Sequence, residues 1–391
     1  MDAIGVGVAS AASPFLAVFL ARLGATSFQV GLLTAMPAIT GFFLSVAAGR
    51  FLQSRRNIVP WFAGARFLGL SWYAVVGLVS FLVPQEYAVP AVLCLWAAVT
   101  VPNTVMNISF SVVMNAVAGP RGRYELLSRR WSILGLTTAI TATMAGQVLD
   151  RLRFPVNYQL VFVGLSLGSL ISYYYSSRVQ LPEVEAEPQV GGLSLGQRVK
   201  DSLHLIRRER TFLSFTGKQS VYILGVTLAV PLLPLYYVRV VRASDAWIGV
   251  IQTAQTIVML VGYYVWTRQS RARGSRFVLL CTTLGLALYP ALVATTRRVE
   301  WIVLCAGLAG VFQAGLDLVF FDELMKTIPP RHSATFVSVA SSLKNLARMV
   351  GPLLGTLLAD RIGIGGALVV SAVLCLIGFG LFALPSRHPR A

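Results

Sequence analysis

Ionisable groups are scarce in this chain, and acids are the scarcest. Charged residues make up 12% of the 391 positions against 56% hydrophobic, with a mean hydropathy of +0.71. Soluble domains carry roughly 25% charged residues, so most of this surface cannot face water. Asp and Glu number 15 against 33 Lys and Arg, which leaves a formal net charge of +18. No basic tail or basic patch interleaved with aromatics accompanies that charge, so nucleic acid is not an expected partner. The sequence has no Gly-x-x-x-x-Gly-Lys-Ser/Thr loop, which excludes coupling to ATP through a P-loop. His204, His332 and His388 fall in expected loops or the tail, while Cys94, Cys281, Cys305 and Cys375 fall in apolar runs without CxxC spacing. Neither a disulfide framework nor a metal site is expected, and no cofactor. No loop gathers His with Asp, Glu or Cys, so a membrane enzyme such as a lipid-modifying transferase is the weaker alternative and no enzymatic activity is expected. No basic segment precedes the first apolar run, and Met1 stands almost inside it. Either the chain starts upstream or its first helix is short by a turn.

What the sequence does contain is apolar runs of about 20 residues, the length that crosses a ~30 Å hydrocarbon core. Twelve are expected, at 4–23, 30–49, 58–82, 88–110, 131–149 and 158–177, then at 212–237, 247–266, 277–296, 301–324, 336–359 and 365–384. The fold class that follows is an all-α polytopic membrane protein, with an N-terminal six-helix bundle over 1–178, a cytoplasmic linker over 179–210 and a C-terminal six-helix bundle over 211–391. With the amino terminus inside, 21 of the 33 Lys and Arg lie on the cytoplasmic side and 7 outside. That bias predicts a multi-pass protein of the cytoplasmic membrane with both termini in the cytoplasm. Within the linker, Leu195, Val199, Ser202 and Ile206 share one helical face, which predicts an amphipathic helix at the membrane surface.

The chain also repeats itself. Aligning Gly31 on Gly249, an offset of 218 residues, also aligns Arg50 on Arg268 and Arg55 on Arg273. In each copy a polar step leads into an apolar run and then a basic loop. At an offset of 210, Pro120, Arg121, Asp150 and Arg151 map onto Pro330, Arg331, Asp360 and Arg361. Repeated apolar halves are typical of secondary transporters, whose substrate site lies between the repeats.

Six plus six spans, a cytoplasmic linker and a basic loop after the second span resemble the major facilitator superfamily over nearly the whole chain. In that family the loop usually reads Gly-x-Leu-Ala-Asp-Arg-x-Gly-Arg-Arg. Here Gly49-Arg50-Phe51-Leu52-Gln53-Ser54-Arg55-Arg56 keeps the glycine and the basic pair, is two residues shorter, and has Gln53 where the acid is expected. The resemblance implies a gating loop carried by Gly49, Arg50, Arg55 and Arg56, without the acid's usual charge relay. Drug–proton antiporters of the family carry Gly-Pro in the fifth span. That span has no proline here, although Gly351-Pro352 and Gly355 stand in the eleventh, where small residues let helices approach closely. The resemblance implies a secondary active transporter working by alternating access, with spans 1, 4, 7 and 10 lining its cavity. A non-transporting sensor or scaffold on the same fold is the alternative that the lost acid encourages.

Polar groups inside the spans are the candidates for substrate contact, since a charge at mid-helix costs ~2.5–3.5 kcal/mol on insertion scales. The offset of 210 sets Asn103 opposite Gln313 and Asn107 opposite Asp317. These two matched pairs either hydrogen-bond a substrate or hold helices together. Lys344 and Arg348, four apart on one face, lie deep in the eleventh span. They line a cavity for an anionic solute or pair with nearby acids. An Asp317–Lys344 pair is the geometry expected, with Asp317 as the proton-coupling candidate. Arg22 and Lys218 are shallow enough to snorkel, and Arg66 is expected to be structural. Asp322 and Glu323 form a solvated mouth or pair with loop arginines. Tyr222, Phe312 and Tyr236 are expected to pack rather than to stack on substrate. The substrate expected is a small anionic or amphiphilic molecule, with protons as the possible coupling ion, export favoured over uptake, and a monomeric carrier in the lipid bilayer.

Overall fold

The computed structural model describes residues 1–53, 55, 57–181, 209–328 and 333–384. Among these residues it is all helix and turn, with no strand. The helices are α1 (Asp2–Ser10), α2 (Ser13–Arg22), α3 (Ser27–Gln53), α4 (Val59–Leu82), α5 (Gln85–Arg151) and α6 (Val156–Ser176). They continue as α7 (Arg210–Ala229), the short α8 (Leu232–Leu235), a π-helical turn at Tyr236–Val241, α9 (Asp245–Arg273), α10 (Ser275–Ala294), α11 (Val299–Lys326) and α12 (Ser333–Ala383).

Eleven stretches of described helix are long and apolar enough to cross a membrane. The last, Val339–Ala383, has 45 residues. At ~1.5 Å per residue it is about twice the thickness of a bilayer core. It is bent at Gly363, where φ is 80° and ψ 160°. A residue without Cβ adopts such angles readily, so this stretch is two spans and the total among the described residues is twelve.

Local chemistry explains where the helices depart from the expected runs. The first run breaks at Ala11-Ala12 because Pro14 sits in the first turn of α2 and has no N–H to give the preceding turn. The seventh run ends α7 at Ala229, where Pro231 and Pro234 follow, and closes through α8 and the π-helical turn. The fourth and fifth runs were expected as separate helices joined by a loop. They are instead one helical element of 67 residues, α5. The stretch between them holds Leu, Arg and one Glu, good helix formers, and the helix continues through Gly119-Pro120 and Gly122 although proline gives no N–H and glycine disfavours helix. The amphipathic helix expected in the linker, with His204, His332 and His388, lies outside the described residues.

The structure separates into two compact units, one of Met1–Gln189 with Pro234–Ile257 and one of Val190–Leu233 with Val258–Ala391. In the first unit, α1 and α2 pack with α4, α5 and α6 around Phe19, Tyr158, Phe162 and Tyr73. Phe19 stacks on Tyr158 at 5.0 Å and meets Phe162 edge-on at 5.6 Å. Four helices are tied by one carboxylate: Asp2 accepts from Arg66 (2.8 Å), Arg130 (3.1 Å) and the Ser172 hydroxyl (2.7 Å). Arg66 is 3% exposed and also lies over the Phe62 ring at 4.1 Å, so its role is the structural one expected.

The second unit is organised by α7 against α12. A Cβ at Gly355 would stand 2.3 Å from the Leu228 carbonyl oxygen, so only glycine permits this approach. Two hydroxyls close the same seam, Thr227 donating to the Ala347 carbonyl (3.1 Å) and Ser371 to that of Gly225 (2.7 Å). Tyr222 is fully buried and donates to the Thr283 carbonyl at 2.8 Å. It packs against Phe320, as expected of a core aromatic.

Candidate functional site

A cavity of about 440 Å³ opens in the second unit between α7, α11 and α12. Its size falls in the range that holds a small organic molecule. Gln313 and Asp317 reach it from successive turns of α11, Lys344 and Arg348 from successive turns of α12, and Gln219 from α7. Four residues singled out in the sequence thus line one cavity. The i, i+4 spacing on each helix puts each pair on one face, and the two faces meet. The polar groups lie about 14–23 Å along the helix axis from Lys326 and Ser333, at ~1.5 Å per residue. Toward those ends the lining turns apolar, with Phe320, Phe321, Leu324, Met325 and Val337.

The expected Asp317–Lys344 ion pair is not formed. The Asp317 carboxylate accepts instead from the Gln313 side-chain amide at 2.9 Å and from the Tyr263 hydroxyl at 3.1 Å. Gln313 lies one turn earlier on α11, so its amide reaches the carboxylate along the helix, and Tyr263 comes in from α9. Both carboxylate oxygens are therefore taken by neutral donors. Among the described residues, neither Lys344 nor Arg348 makes a hydrogen bond or an ion pair, although both lie within electrostatic range of Asp317. The cavity carries two cations and one anion. Tyr263 and Gln219 had not been singled out; their signal was a hydroxyl and an amide inside long apolar runs.

Asn103 and Asn107 belong to the first unit. The Asn103 side chain is turned onto α4, where a Cβ added at Gly69 would stand 2.2 Å from its Oδ1. Asn107 is exposed on α5. Asp322 and Glu323 pair with Lys326 on the same helix, at 2.7 Å and 2.9 Å, one turn away, and among the described residues neither pairs with a loop arginine. Of the gating loop, Arg55 lies over the Phe51 ring (4.6 Å) and the Trp61 ring (5.2 Å). Arg56 and the side chain of Arg50 lie outside the described residues. Gly49 sits in α3, with no atom within 4 Å of where its Cβ would be.

A second polar cluster lies within the first unit, where the segment Pro234–Ile257 meets α2, α5 and α6. Arg22 does not snorkel. It donates to Asp245 Oδ1 through Nε (3.0 Å) and Nη2 (2.8 Å), and to the Ala243 carbonyl at 3.2 Å. The Tyr158 hydroxyl donates to the same Asp245 oxygen at 2.7 Å. The Asp150 carboxylate accepts from the Asp245 backbone N–H at 2.8 Å, an anion placed at the amino end of α9 where the helix dipole favours it. Arg239 donates to the Ala25 carbonyl and to the Ser27 hydroxyl. The backbone comes close as well: a Cβ at Gly249 would stand 2.7 Å from the Ala142 carbonyl oxygen. Thr143 and Thr253 share a hydrogen bond of 2.6 Å.

These features define a multi-pass helical membrane protein with charged groups converging on a cavity inside its apolar spans. Residues 219–391 match the family model described as Major Facilitator Superfamily. The multidrug resistance protein MdtG of Proteus mirabilis (strain HI4320) is 24% identical over 176 residues, 41% of this chain and 43% of that protein. The staphyloferrin B transporter of Staphylococcus aureus is 24% identical over 168 residues, 41% of this chain and 40% of that protein. The matched stretch thus spans less than half of these relatives. Over almost the whole chain the fold resembles solved transporter structures. For the nucleoside transporter NupG the TM-score is 0.71 at 12% identity, covering 98% of this chain and 96% of that one. For a bacterial homologue of the iron transporter ferroportin in an inward-facing state it is 0.73 at 16% identity, covering 97% and 95%. The family match covers residues 219–391, less than half of the chain, and the matches single out no subfamily.

Proposed function

We propose that this protein is a secondary active transporter that moves a small solute across the cytoplasmic membrane by alternating access, and that the cavity of the second unit is its substrate site. One observation carries the reading. Gln313, Asp317, Lys344 and Arg348 are placed where bare ionisable groups are costly, and all four line one cavity. A static neutralising bridge would have paired the lysine with the aspartate. Here the cations are left facing the cavity.

Asp317 is the proton-coupling candidate, its carboxylate held by Gln313 and Tyr263 at the cavity wall. Its protonation would change the charge of the cavity by one unit, which is the switch a proton-driven cycle needs. Export is the favoured direction, supported by the relatives named for multidrug resistance. Asn107 is retained as a hydrogen-bonding contributor, and Asn103 as a weaker one because it is committed to α4. The segments 1–178 and 211–391 are proposed as the repeated bundles, joined by the linker 179–210, in a monomer with both termini in the cytoplasm. The loop around Gly49, Arg50, Arg55 and Arg56 is proposed as a gate.

The test is flux in proteoliposomes under an imposed pH gradient, using labelled sugars, amino acids, organic anions and hydrophobic amines. Saturable flux of one class, abolished in Lys344→Gln and made insensitive to the gradient in Asp317→Asn, is the expected result. No flux of any class above empty liposomes would overturn the transport reading.

A further inference from the structure

We infer that the cavity of the second unit is selective for an amphiphilic organic monoanion, its acidic head held by Lys344 and Arg348 and its apolar body lying along Phe320, Phe321, Leu324, Met325 and Val337. The inference rests on reading this cavity as the substrate site, and it adds the substrate's charge, polarity and orientation.

Charge comes first. The charged residues lining the cavity are Asp317, Lys344 and Arg348, a formal net charge of +1. Asp317 and Arg348 are exposed to the cavity, so water screens the net charge in part, but between apolar helices it still favours a ligand of charge −1 over a neutral or cationic one of the same shape. Hydrogen bonding points the same way. Asp317 is occupied by Gln313 and Tyr263, so it does not saturate the ammonium and guanidinium donors. A guanidinium presents paired N–H groups that match a carboxylate or a similar oxyanion, and a lysine one turn away supplies a further donor. A cationic ligand would need Asp317 as its partner, and that carboxylate stands beside two positive charges.

Polarity sets the rest of the molecule. The charged groups cluster at one level of the cavity, and the residues one to two turns nearer Lys326 and Ser333 are hydrocarbon or aromatic apart from the Ser341 hydroxyl. A fully hydrophilic dianion would leave that half of the wall unmatched, and a plain hydrocarbon would leave two cations without a counterion. The fit is a head of one negative charge on an apolar body of roughly a ring and a short chain, with the head at the deeper level.

Three molecules of one shape separate these possibilities: 4-phenylbutanoate, 4-phenylbutanamide and 4-phenylbutan-1-amine. Each is titrated against the purified full-length protein, with thermal stabilisation as the readout, since a ligand that binds only the folded state raises its stability. The carboxylate is expected to bind at least tenfold more tightly than the amide, and the amine least. Lys344→Gln and Arg348→Gln should each weaken carboxylate binding about tenfold and leave amide binding unchanged. Lys344→Arg, which keeps the charge, should restore most of the loss and guards against a merely unfolded glutamine variant. Leu324→Asn should weaken carboxylate and amide alike, which places the body. Acetate, a head without a body, should bind far more weakly than 4-phenylbutanoate. Equal binding of the three, tightest binding of the amine, or no binding of any would overturn the inference. Binding to the purified protein requires no transport. A selective carboxylate site in a protein that shows no flux would therefore sink the transporter reading alone, and flux of a neutral or cationic class would sink this inference alone.

Discussion

Replacing Asp245 by alanine should loosen Pro234–Ile257 from the rest of the first unit. The residues on either side of this segment belong to the second unit, so the perturbation acts where the chain passes from one unit to the other. Asp245 Oδ1 accepts from Arg22 twice and from Tyr158 once. The Asp245 side chain is 6% exposed and that of Arg22 29%. Breaking a buried pair by removing one partner costs ~3–5 kcal/mol. Arg22 can recover some water, which argues for the lower end, while the fully buried Tyr158 hydroxyl is left without its acceptor, at ~1–3 kcal/mol. The terms overlap, and about 3 kcal/mol is the expected local loss. Asp245→Asn keeps an acceptor but not the charge, and should lose about 1–2 kcal/mol. Tyr158→Phe removes one bond and should lose about 1 kcal/mol. The assay is amide hydrogen exchange across residues 239–249, where 1.4 kcal/mol is a factor of ten, so Asp245→Ala should speed exchange by about a hundredfold. Arg22→Gln combined with Asp245→Ala should be clearly less than additive. If Asp245→Ala sped exchange no more than the exposed control Glu300→Ala does, the cluster would not be what holds this segment.

Other perturbations have equally definite expectations. Asp2→Ala strands two guanidiniums, those of Arg66 and Arg130, and should lower unfolding stability by about 3 kcal/mol; a loss under 1 kcal/mol in denaturant titration would show that the stacking of Arg66 on Phe62 and of Arg130 on Phe110, at 4.7 Å, suffices. Gly355→Ala, with the Leu228 carbonyl in the way, should destabilise by about 1–3 kcal/mol. Gly217→Ala, with nothing within 4 Å, should be neutral or gain about 0.5–1 kcal/mol; equal effects would show that the α7–α12 seam has room to spare. Tyr263→Phe removes one of the two donors on Asp317, freeing the carboxylate to compete for Lys344. It should weaken 4-phenylbutanoate binding about threefold to tenfold. Unchanged affinity would mean that Gln313 alone holds the carboxylate in place.

Much of the architecture is written in periodicity that survives folding. Apolar runs of bilayer length fix the spans, and the gap between 359 and 365 falls on the bend at Gly363. Prolines were the missed local signal. The first and seventh runs read as continuous by hydropathy, but breaks fall at Pro14 and at Pro231 and Pro234, whereas Pro37, Pro290 and Pro352 stay inside their helices. The continuity of α5 through its basic stretch runs against Gly119, Pro120 and Gly122, which favour a break, and only the Leu and Arg residues beside them favour helix. At the site, spacing of four put Gln313 with Asp317 and Lys344 with Arg348 on common faces, and these faces do line one cavity. The partner of Asp317 was misread because Tyr263 lies 54 residues away in sequence. The Arg22–Asp245 pair spans 223 residues, and no local pattern announces a contact at that distance.

The central claim is that the cavity of the second unit is reached from each side of the membrane in turn. Ser341 lines it, so Ser341→Cys, on a background with Cys94, Cys281, Cys305 and Cys375 replaced, offers a single thiol there. Reaction with a membrane-impermeant maleimide, applied to one face at a time in oriented proteoliposomes, measures access directly. Alternating access predicts labelling from both faces, with a bound ligand raising one rate as it lowers the other. Labelling from one face only, under every ligand and pH, would contradict it.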